Sequence, residues 1–356
     1  MSASTPIRVL IVDDSAAGRA AIAEVLDAAG DIQVVGRAMD GAEALQLVQR
    51  LQPDLLTLDL EMPRMDGFSF LRIMRAQRPR PVIVVSSDTR PEASIQALEL
   101  GAFDFVVKPG RLTGQNLVAM GEQLVLTIRA ALGKRAPAPV QFERRPPGSA
   151  TLNAIRVPPE RVRLIAIGAS TGGPMAIQSI LSELAEPLDC PVIIAQHMPA
   201  QFTYAFADRL DRTLTHRVHE ARDGDVLEPG QVLIAPGGQR TTVGFDAEGT
   251  LVARVSAMPE RDPYTPSVDR LFETAAACCR AELVAVVLTG MGADGAMGVR
   301  AVDELGGLVI TESPETALID GMPEEARRAC PSARSLRLDQ IARVLSKLGR
   351  LRQTEA

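Results

Sequence analysis

Tryptophan and cysteine are absent or scarce in this chain. It has no tryptophan, and only four of its 356 residues are cysteines (Cys190, Cys278, Cys279 and Cys330). Their spacing is neither that of a disulfide framework nor that of a zinc site. We therefore expect free, mostly buried thiols in a reducing cytoplasm.

Long apolar runs and an excess of basic residues are also lacking. The longest apolar stretches, such as residues 284–288, are far shorter than the roughly 20 residues of a membrane-spanning helix. Residues 1–15 lack the basic region and long apolar core of a secretory signal. The formal net charge of −6 argues against a dedicated nucleic-acid binder. We expect a cytoplasmic protein with no membrane insertion and no nucleic-acid partner.

The length of the chain, 356 residues, predicts two domains. The first half alternates apolar runs with helix-like segments, which predicts a parallel, doubly wound sheet. Strands are expected at 7–12, 32–35, 55–58, 82–85 and 103–107, and helices near 16–28, 40–51, 67–76, 92–100 and 114–132.

Polar residues follow four of these strands, at the edge where doubly wound sheets bind ligands. They are Asp13, Asp14, Asp59, Ser86 and Lys108. Carboxylates packed together repel one another and need a divalent cation, and oxygen ligands suit Mg²⁺. Asp59 can attack a phosphoryl donor, while Lys108 and Ser86 can bind the resulting phosphate.

Residues 6–130 closely resemble the receiver domain of two-component response regulators. The matching strings are residues 12–15, 58–67, 84–87 and 107–110. The resemblance implies a flavodoxin-like fold and phosphorylation by a histidine kinase, with Asp59 as phospho-acceptor. It implies that Mg²⁺ is bound by Asp13, Asp14, Asp59 and the backbone carbonyl of Glu61. It also implies that Ser86 and Lys108 are the switch pair.

The second half opens on a strand, a small-residue turn and a helix. Residues 164–167 are of strand type, residues 168–173 form the turn, and Pro174 suits the first helical position. Ser170 lies at the crest of this turn. Backbone N–H groups beside it can bind a phosphate or the oxyanion formed when Ser170 attacks a carbonyl. The turn matches G-x-S-x-G, a weak signal by itself, so both interpretations stay open here.

A serine nucleophile needs a base, and the chain has three histidines. His197 follows a predicted strand at 191–196, whereas His216 and His219 lie in a charged segment that we expect to be an exposed edge or loop. Asp294 lies in a glycine-rich turn after a predicted strand at 284–288. It can orient the imidazole, or it can simply cap the next helix.

The chain order Ser, His, Asp differs from the order Ser, Asp, His of the α/β-hydrolases. A triad in the hydrolase order would use other residues: Asp189, Asp208 or Asp211 with His216 or His219. Elsewhere in this half, strands are expected at 231–235, 251–255 and 308–311, and helices at 201–211, 267–280, 296–304, 323–329 and 338–348.

Six strings in this half resemble the CheB family of chemotaxis protein-glutamate methylesterases. They are residues 168–174, 196–199, 234–238, 266–269, 288–295 and 321–323. The resemblance implies a doubly wound α/β catalytic domain with no cofactor at the esterase site. It implies Ser170 as nucleophile, His197 as base, Asp294 as orienting acid, and backbone oxyanion donors at Thr171 and Met291.

The substrates implied are γ-methyl-glutamyl esters, and certain glutamines, on the cytoplasmic domains of chemoreceptors. The sequence departs from the family at residues 239–240, where a histidine is common, and at residues 311–317. These departures leave the receptors and the signalling pathway open.

We expect a receiver domain at 1–132, a proline-rich linker at 133–160 and a catalytic domain at 161–350. Phosphorylation of Asp59 would relieve inhibition by the receiver, which covers the catalytic crevice when unphosphorylated. The alternatives are a response regulator with a phosphate- or nucleotide-binding output domain, or a transcription factor. Against the latter stand the acidic balance and the length of the second half.

Overall fold

The computed structural model of the chain describes residues 5–77, 80–86, 90–109, 114–133, 161–184, 186–257 and 264–349. The chain divides into two compact units, with the division between residues 138 and 139. Residues 134–160, nearly all of the predicted linker, lie outside the described residues. No helix among the described residues is long and apolar enough to cross a membrane.

The N-terminal unit alternates strands and helices, as its apolar pattern predicts. Its elements are β1 (Ile7–Val12), α1 (Ala16–Ala28), β2 (Ile32–Ala38), α2 (Gly41–Leu51), β3 (Leu55–Leu58), α3 (Gly67–Gln77), β4 (Val82–Ser86), α4 (Pro91–Glu99), β5 (Asp104–Val107) and α5 (Gln115–Ala131). The five strands form one parallel sheet in the order β2-β1-β3-β4-β5. The carboxyl ends of β1, β3 and β4 therefore lie side by side, and the doubly wound prediction is confirmed.

The C-terminal unit begins with four strands and two helices. These elements are β6 (Leu164–Ala169), α6 (Gly173–Glu183), β7 (Val192–Gln196), α7 (Ala200–Thr213), β8 (Arg217–Glu220) and β9 (Gln231–Ile234). They are followed by β10 (Gln239–Phe245), β11 (Leu251–Ala257), α8 (Val268–Cys279), β12 (Leu283–Val287), α9 (Ala296–Glu304), β13 (Leu308–Glu312), α10 (Gly321–Ala329), β14 (Arg334–Leu336) and α11 (Leu338–Leu348).

Seven of these strands form a second parallel sheet, in the order β14-β13-β12-β6-β7-β9-β8. Strand β6 is central, with β12 on one side and β7 on the other. β10 and β11 form a separate antiparallel pair. Because β12, β6 and β7 are parallel neighbours, the turns that follow them meet at one edge of the sheet.

Some local predictions for the C-terminal unit are wrong. Gly168 and Ala169 extend β6, so the turn is shorter than predicted and α6 starts at Gly173. Strands β8, β10 and β14 were not predicted as strands, because they are short or rich in polar residues. His216 is buried, with 3% of its surface exposed, rather than exposed as predicted.

The four cysteines are free thiols, as the sequence predicts, and three of them are buried. Cys279 belongs to the hydrophobic core of the C-terminal unit, where burial raises the pKa of its thiol to about 12. A thiol with so high a pKa stays protonated and unreactive at neutral pH.

Candidate active site and phospho-acceptor site

Ser170 lies between the two turns that carry the candidate base and acid. Its N–H donates to the carbonyl of Thr289, which follows β12, at 3.0 Å. On the other side, the N–H of His197 donates to the carbonyl of Ala169 at 2.9 Å. These two bonds continue the sheet beyond its strands, and they hold the backbones of residues 170 and 197 in adjacent positions.

Gly290 makes the close approach of the β12 turn to Ser170 possible. A Cβ at position 290 would lie 2.7 Å from the Cβ of Ser170 and 2.4 Å from the sulfur of Met322, so any side chain would force the turns apart. Gly172 has a positive φ of 78°, which few other residues adopt, and it precedes α6 as its N-cap.

His197 and Asp294 form a hydrogen-bonded pair. The Nε2 atom of His197 lies 2.8 Å from Oδ2 of Asp294. The imidazole side chain is 15% exposed and the carboxylate 2% exposed, so the pair is largely shielded from water while one part of the ring stays accessible. Nδ1 is the ring nitrogen left over for a proton from Ser170.

The Asp294 carboxylate is held by the start of α8. Oδ2 accepts from the N–H of Val268 at 2.7 Å, and Oδ1 accepts from the N–H of Asp269 at 2.9 Å. The hydroxyl of Ser267, the N-cap of α8, donates to Oδ1 at 3.2 Å. Burial alone would raise the pKa of Asp294, but the bond to His197 and these backbone donors outweigh it, and the pKa lies below its usual value. Asp294 therefore stays ionised beside His197.

Sequence reasoning gave no role to Ser267, Val268 and Asp269. The string 266–269 resembles the CheB family, but nothing in its spacing indicates that the helix it starts binds a carboxylate 25 residues further on. The only local signal is Ser267, a preferred N-cap residue just before a helix.

Thr289 is a fourth residue to which sequence reasoning gave no role. Its hydroxyl donates to the carbonyl of Thr171 and accepts from the N–H of Ile319, both at 2.9 Å. Its own N–H donates to the buried carboxylate of Glu312 at 2.9 Å. Thr289 thus joins the turn after β6 to the turn after β12, on which the predicted oxyanion donors Thr171 and Met291 lie.

The predicted oxyanion donors are the backbone N–H groups of Thr171 and Met291. Within the described residues, no hydrogen bond uses the backbone N–H of Thr171 or of Met291. The same part of the chain shows no hydrogen bond between the Ser170 hydroxyl and His197. Such bonds commonly tighten only when substrate binds.

Asp208, Asp211 and His219 of the hydrolase-order alternative have other partners, and Oδ2 of Asp189 is buried with no hydrogen-bond partner among the described residues. Asp208 pairs with Arg212 on α7, and Asp211 accepts from the N–H of Val218. His219 lies 3.3 Å from Asp225, and His216 is buried with no hydrogen-bond partner for either ring nitrogen among the described residues. The geometry supports the order Ser170, His197, Asp294 over the alternative.

Asp269 is expected to make stability depend on pH. Its Oδ1 accepts from the N–H groups of Gly298 at 2.7 Å and Gly295 at 2.9 Å. Burial, reinforced by the charge of Asp294, nevertheless raises the pKa of Asp269 to about 6. The folded state holds this proton more tightly than the unfolded chain does. Stability therefore falls as pH rises from about 4 to about 6, and it stays lower above that.

Asp269→Asn keeps the acceptor oxygen and removes the buried charge. We expect it to stabilise the C-terminal unit by roughly 1–3 kcal/mol above pH 6 and to flatten the pH dependence between 4 and 6. Thermal unfolding of the full chain at a series of pH values measures this, with Asp246→Asn on an exposed turn as control. A lower midpoint than wild type at pH 7.5 would show that the charge is not costly.

The N-terminal unit brings three acids together at the carboxyl ends of β1 and β3. Asp13, Asp14 and Asp59 each offer an oxygen within 4.8 Å of the others. Lys108 bonds to Asp13 at 2.6 Å and also to Asp59. The Ser86 hydroxyl donates to Asp59 at 3.2 Å, and so does the N–H of Glu61.

The charges of this cluster suit a divalent cation. Burial raises the pKa of Asp13, with the charge of Asp59 adding to it, although Lys108 opposes the shift. Three carboxylates with one lysine among them leave an excess of negative charge in a partly buried place. Hard oxygen ligands of this kind fit Mg²⁺, with room for water because Asp14 is exposed.

Comparison with known proteins matches two family models to separate parts of the chain. The response regulator receiver domain model matches residues 9–120, and the CheB methylesterase model matches residues 165–345. A Myxococcus xanthus protein named protein-glutamate methylesterase/protein-glutamine glutaminase 1 is 44% identical over 99% of this chain and 100% of the relative. A Geobacter sulfurreducens protein of the same name, number 3, is 40% identical over 97% and 98%.

The crystal structure of the Thermotoga maritima CheB methylesterase catalytic domain is 34% identical, with a TM-score of 0.49, over 52% of this chain and 98% of that one. The full-length relatives cover both units and do not favour a different output domain. From the two matched models and the identity to the two full-length relatives, the chain belongs to the CheB methylesterase family and carries a response regulator receiver domain ahead of the methylesterase region.

Proposed function

We propose that the chain is a phosphorylation-activated serine hydrolase that removes methyl groups from glutamate γ-methyl esters of chemoreceptors, releasing methanol, and that also deamidates receptor glutamines. The observation that carries this proposal is the His197–Asp294 pair, 2.8 Å apart, at the edge of the sheet where Ser170 directly follows β6. The names of the full-length relatives support the substrate class.

In the proposed reaction, the Ser170 oxygen attacks the ester carbonyl and its proton passes to Nδ1 of His197. Asp294 keeps the imidazole oriented and stabilises its charged form. The oxyanion accepts hydrogen bonds from the N–H groups of Thr171 and Met291; one such donor is worth about 3–4 kcal/mol of transition-state stabilisation. His197 then gives this proton to the methoxy oxygen, or to the amide nitrogen in deamidation, as its bond to the carbonyl carbon breaks, which releases methanol or ammonia. Water attacks the acyl-enzyme, His197 takes its proton and returns it to the Ser170 oxygen, and the glutamate side chain is released.

The regulatory half of the proposal places the phosphate on Asp59. A histidine kinase is the proposed phosphodonor, and the location is the cytoplasm. Asp13, Asp14, Asp59 and the carbonyl of Glu61 would hold Mg²⁺, which when bound offsets the charge of the carboxylates and the phosphate. Ser86 and Lys108, which already contact Asp59, would bind the phosphate oxygens and so transmit its presence.

Asp59→Asn is expected to abolish stimulation by a phosphodonor while leaving basal activity in place. The amide cannot accept a phosphoryl group, whereas the C-terminal unit is unchanged. Couplings between sites are typically about 1–3 kcal/mol, so the stimulation lost would be on the order of 5- to 150-fold. Initial rates of methanol release with and without a small phosphodonor measure it. Asp54→Asn, in the same unit, is the control; a stimulated Asp59→Asn enzyme would contradict the assignment.

The decisive experiment for the whole proposal is methanol release from a methylated chemoreceptor cytoplasmic fragment. We expect release by the full chain, faster after phosphodonor treatment. A serine-directed fluorophosphonate should label Ser170, as peptide mapping would show. An output domain that binds nucleotides would instead show nucleotide affinity, no methanol and no labelling.

A further inference from the structure

One face of the His197 imidazole is covered by an aromatic ring. The Tyr264 ring lies parallel to it, with an interplanar angle of 0° and 4.9 Å between ring centroids. Parallel rings at that separation are offset, which is a favoured arrangement for aromatic pairs. Tyr264 is 38% exposed, so the contact lies at the mouth of the candidate site rather than in the core.

Tyr264 lies close to the turn after β12 and just ahead of the start of α8. Its hydroxyl lies over the turn after β12, where a Cβ at Gly292 would be 3.0 Å from the Tyr264 oxygen. Three residues later in the chain, Ser267 donates to Asp294, followed by the N–H groups of Val268 and Asp269. One short segment, residues 264–269, therefore contacts both members of the His197–Asp294 pair.

We propose that Tyr264 is a positioning residue for His197, whose ring holds the imidazole plane in line with Asp294 and stabilises the imidazolium formed when Ser170 loses its proton. This inference rests on the proposed function, because it needs His197 to act as the base. It adds a residue that no sequence motif pointed to.

The physical argument concerns the ring of Tyr264 and not its hydroxyl. A cation close to the face of an aromatic ring is attracted by the ring's electron density. Burial, followed by the charges of Asp294 and Asp269, raises the pKa of the Tyr264 phenol, so the ring stays neutral when the imidazole is charged. Among the described residues, the one hydrogen bond that orients the imidazole is the bond to Asp294, so loss of the ring would leave the imidazole more mobile.

The test compares three variants of the full chain. Tyr264→Leu removes the aromatic ring, and Tyr264→Phe removes only the hydroxyl. Tyr204→Leu is the matched control, because Tyr204 is the other tyrosine of the chain and is 63% exposed on α7. Methanol release gives kcat and KM, and the rate of fluorophosphonate labelling reports the reactivity of Ser170 without a receptor.

We expect Tyr264→Leu to lower kcat and the labelling rate by at least about two- to five-fold, which is what loss of a cation–π contact at an exposed site corresponds to. KM should change little. Tyr264→Phe and Tyr204→Leu should stay close to wild type. A rise in KM alone, a Tyr264→Phe enzyme as slow as Tyr264→Leu, or no effect of Tyr264→Leu would each overturn the proposal.

A spectroscopic measurement covers the case in which Tyr264→Leu folds poorly. The chain has three histidines, so ring-proton NMR signals of isotope-labelled histidine are few and His197→Ala identifies the one of interest. Stacking shifts that signal upfield. The shift should be present in wild type and in Tyr264→Phe; its absence from both would overturn the stack.

The Ser170→Ala variant distinguishes failure of the proposed function from failure of the proposed role of Tyr264. If that variant still releases methanol, the proposed function fails, and the role of Tyr264 fails with it. If Ser170→Ala is inactive while Tyr264→Leu is indistinguishable from wild type, only the role of Tyr264 fails.

Discussion

Ser170→Ala is expected to abolish methanol release and fluorophosphonate labelling while leaving the fold intact. The Ser170 backbone is fixed by its N–H bond to Thr289, which alanine keeps, and no hydrogen bond of the hydroxyl contributes within the described residues. Loss of a serine nucleophile in a comparable triad lowers kcat by on the order of 10⁶-fold. Methanol release under saturating receptor fragment measures the loss, with circular dichroism to check folding.

A suitable control for this variant is Ser182→Ala on α6. Ser182 lies on the helix that follows the Ser170 turn, and its exposed hydroxyl donates to the carbonyl of Ser179. We expect that enzyme to be as active as wild type. Methanol release by Ser170→Ala at a rate near wild type would mean that another group attacks the ester, and it would remove the basis of the proposed mechanism.

Asp294→Asn is expected to have the second-largest effect, a loss in kcat on the order of 10⁴-fold. The carboxylate accepts four hydrogen bonds. One comes from Nε2 of His197. The other three come from the start of α8, where the donors are the N–H groups of Val268 and Asp269 and the Ser267 hydroxyl. An amide has one oxygen instead of two, so its NH₂ group would face at least one of these donors. The imidazole would then lose its fixed orientation and the charge that stabilises its protonated form.

The same substitution should also destabilise the C-terminal unit at neutral pH. Because the pKa of Asp294 is below its usual value, its ionised form stabilises the folded state above the unfolded pKa, and that contribution disappears as pH falls through the folded pKa. Thermal unfolding of wild type and variant should therefore differ most at neutral pH and converge in acid.

Asp208→Asn is the informative control for Asp294→Asn. Asp208 is an acid of the hydrolase-order alternative, and here it pairs with Arg212 on the surface of α7. We expect full activity from this variant. Full activity of Asp294→Asn combined with loss in Asp208→Asn would reverse the assignment of the acid.

Much of this molecule could be predicted from local patterns. Short apolar runs between helix-like segments predicted the parallel sheets, because strands buried on both faces consist of continuous apolar residues. Asp13, Asp59 and Lys108 could be placed together because each follows a strand, and the carboxyl ends of parallel strands share an edge. The same reasoning placed His197 near Asp294, and the structure brings those two side chains into hydrogen-bonding distance.

Short polar strands and the surroundings of single residues could not be predicted in this way. β10 alternates buried and exposed residues within a polar string, and it is a strand because β11 pairs with it along its whole length. His216 lies in a charged stretch of sequence and yet is buried. In both cases, pairing and packing with other parts of the chain decide the structure, and the residues of the segment alone do not show it.

The sequence by itself determined the strand-end chemistry of this protein: which acids, hydroxyls and histidines follow buried strands, and in what order. Only the tertiary structure decided what holds them. Gly168 lets Val268 pack so closely on β6 that a Cβ there would lie 2.2 Å from it. That contact puts the start of α8 beside Asp294, and Tyr264 covers His197 from the same segment. The physical reason is that strand-end positions follow from local apolar pattern, whereas contacts between loops depend on how helices pack across the sheet.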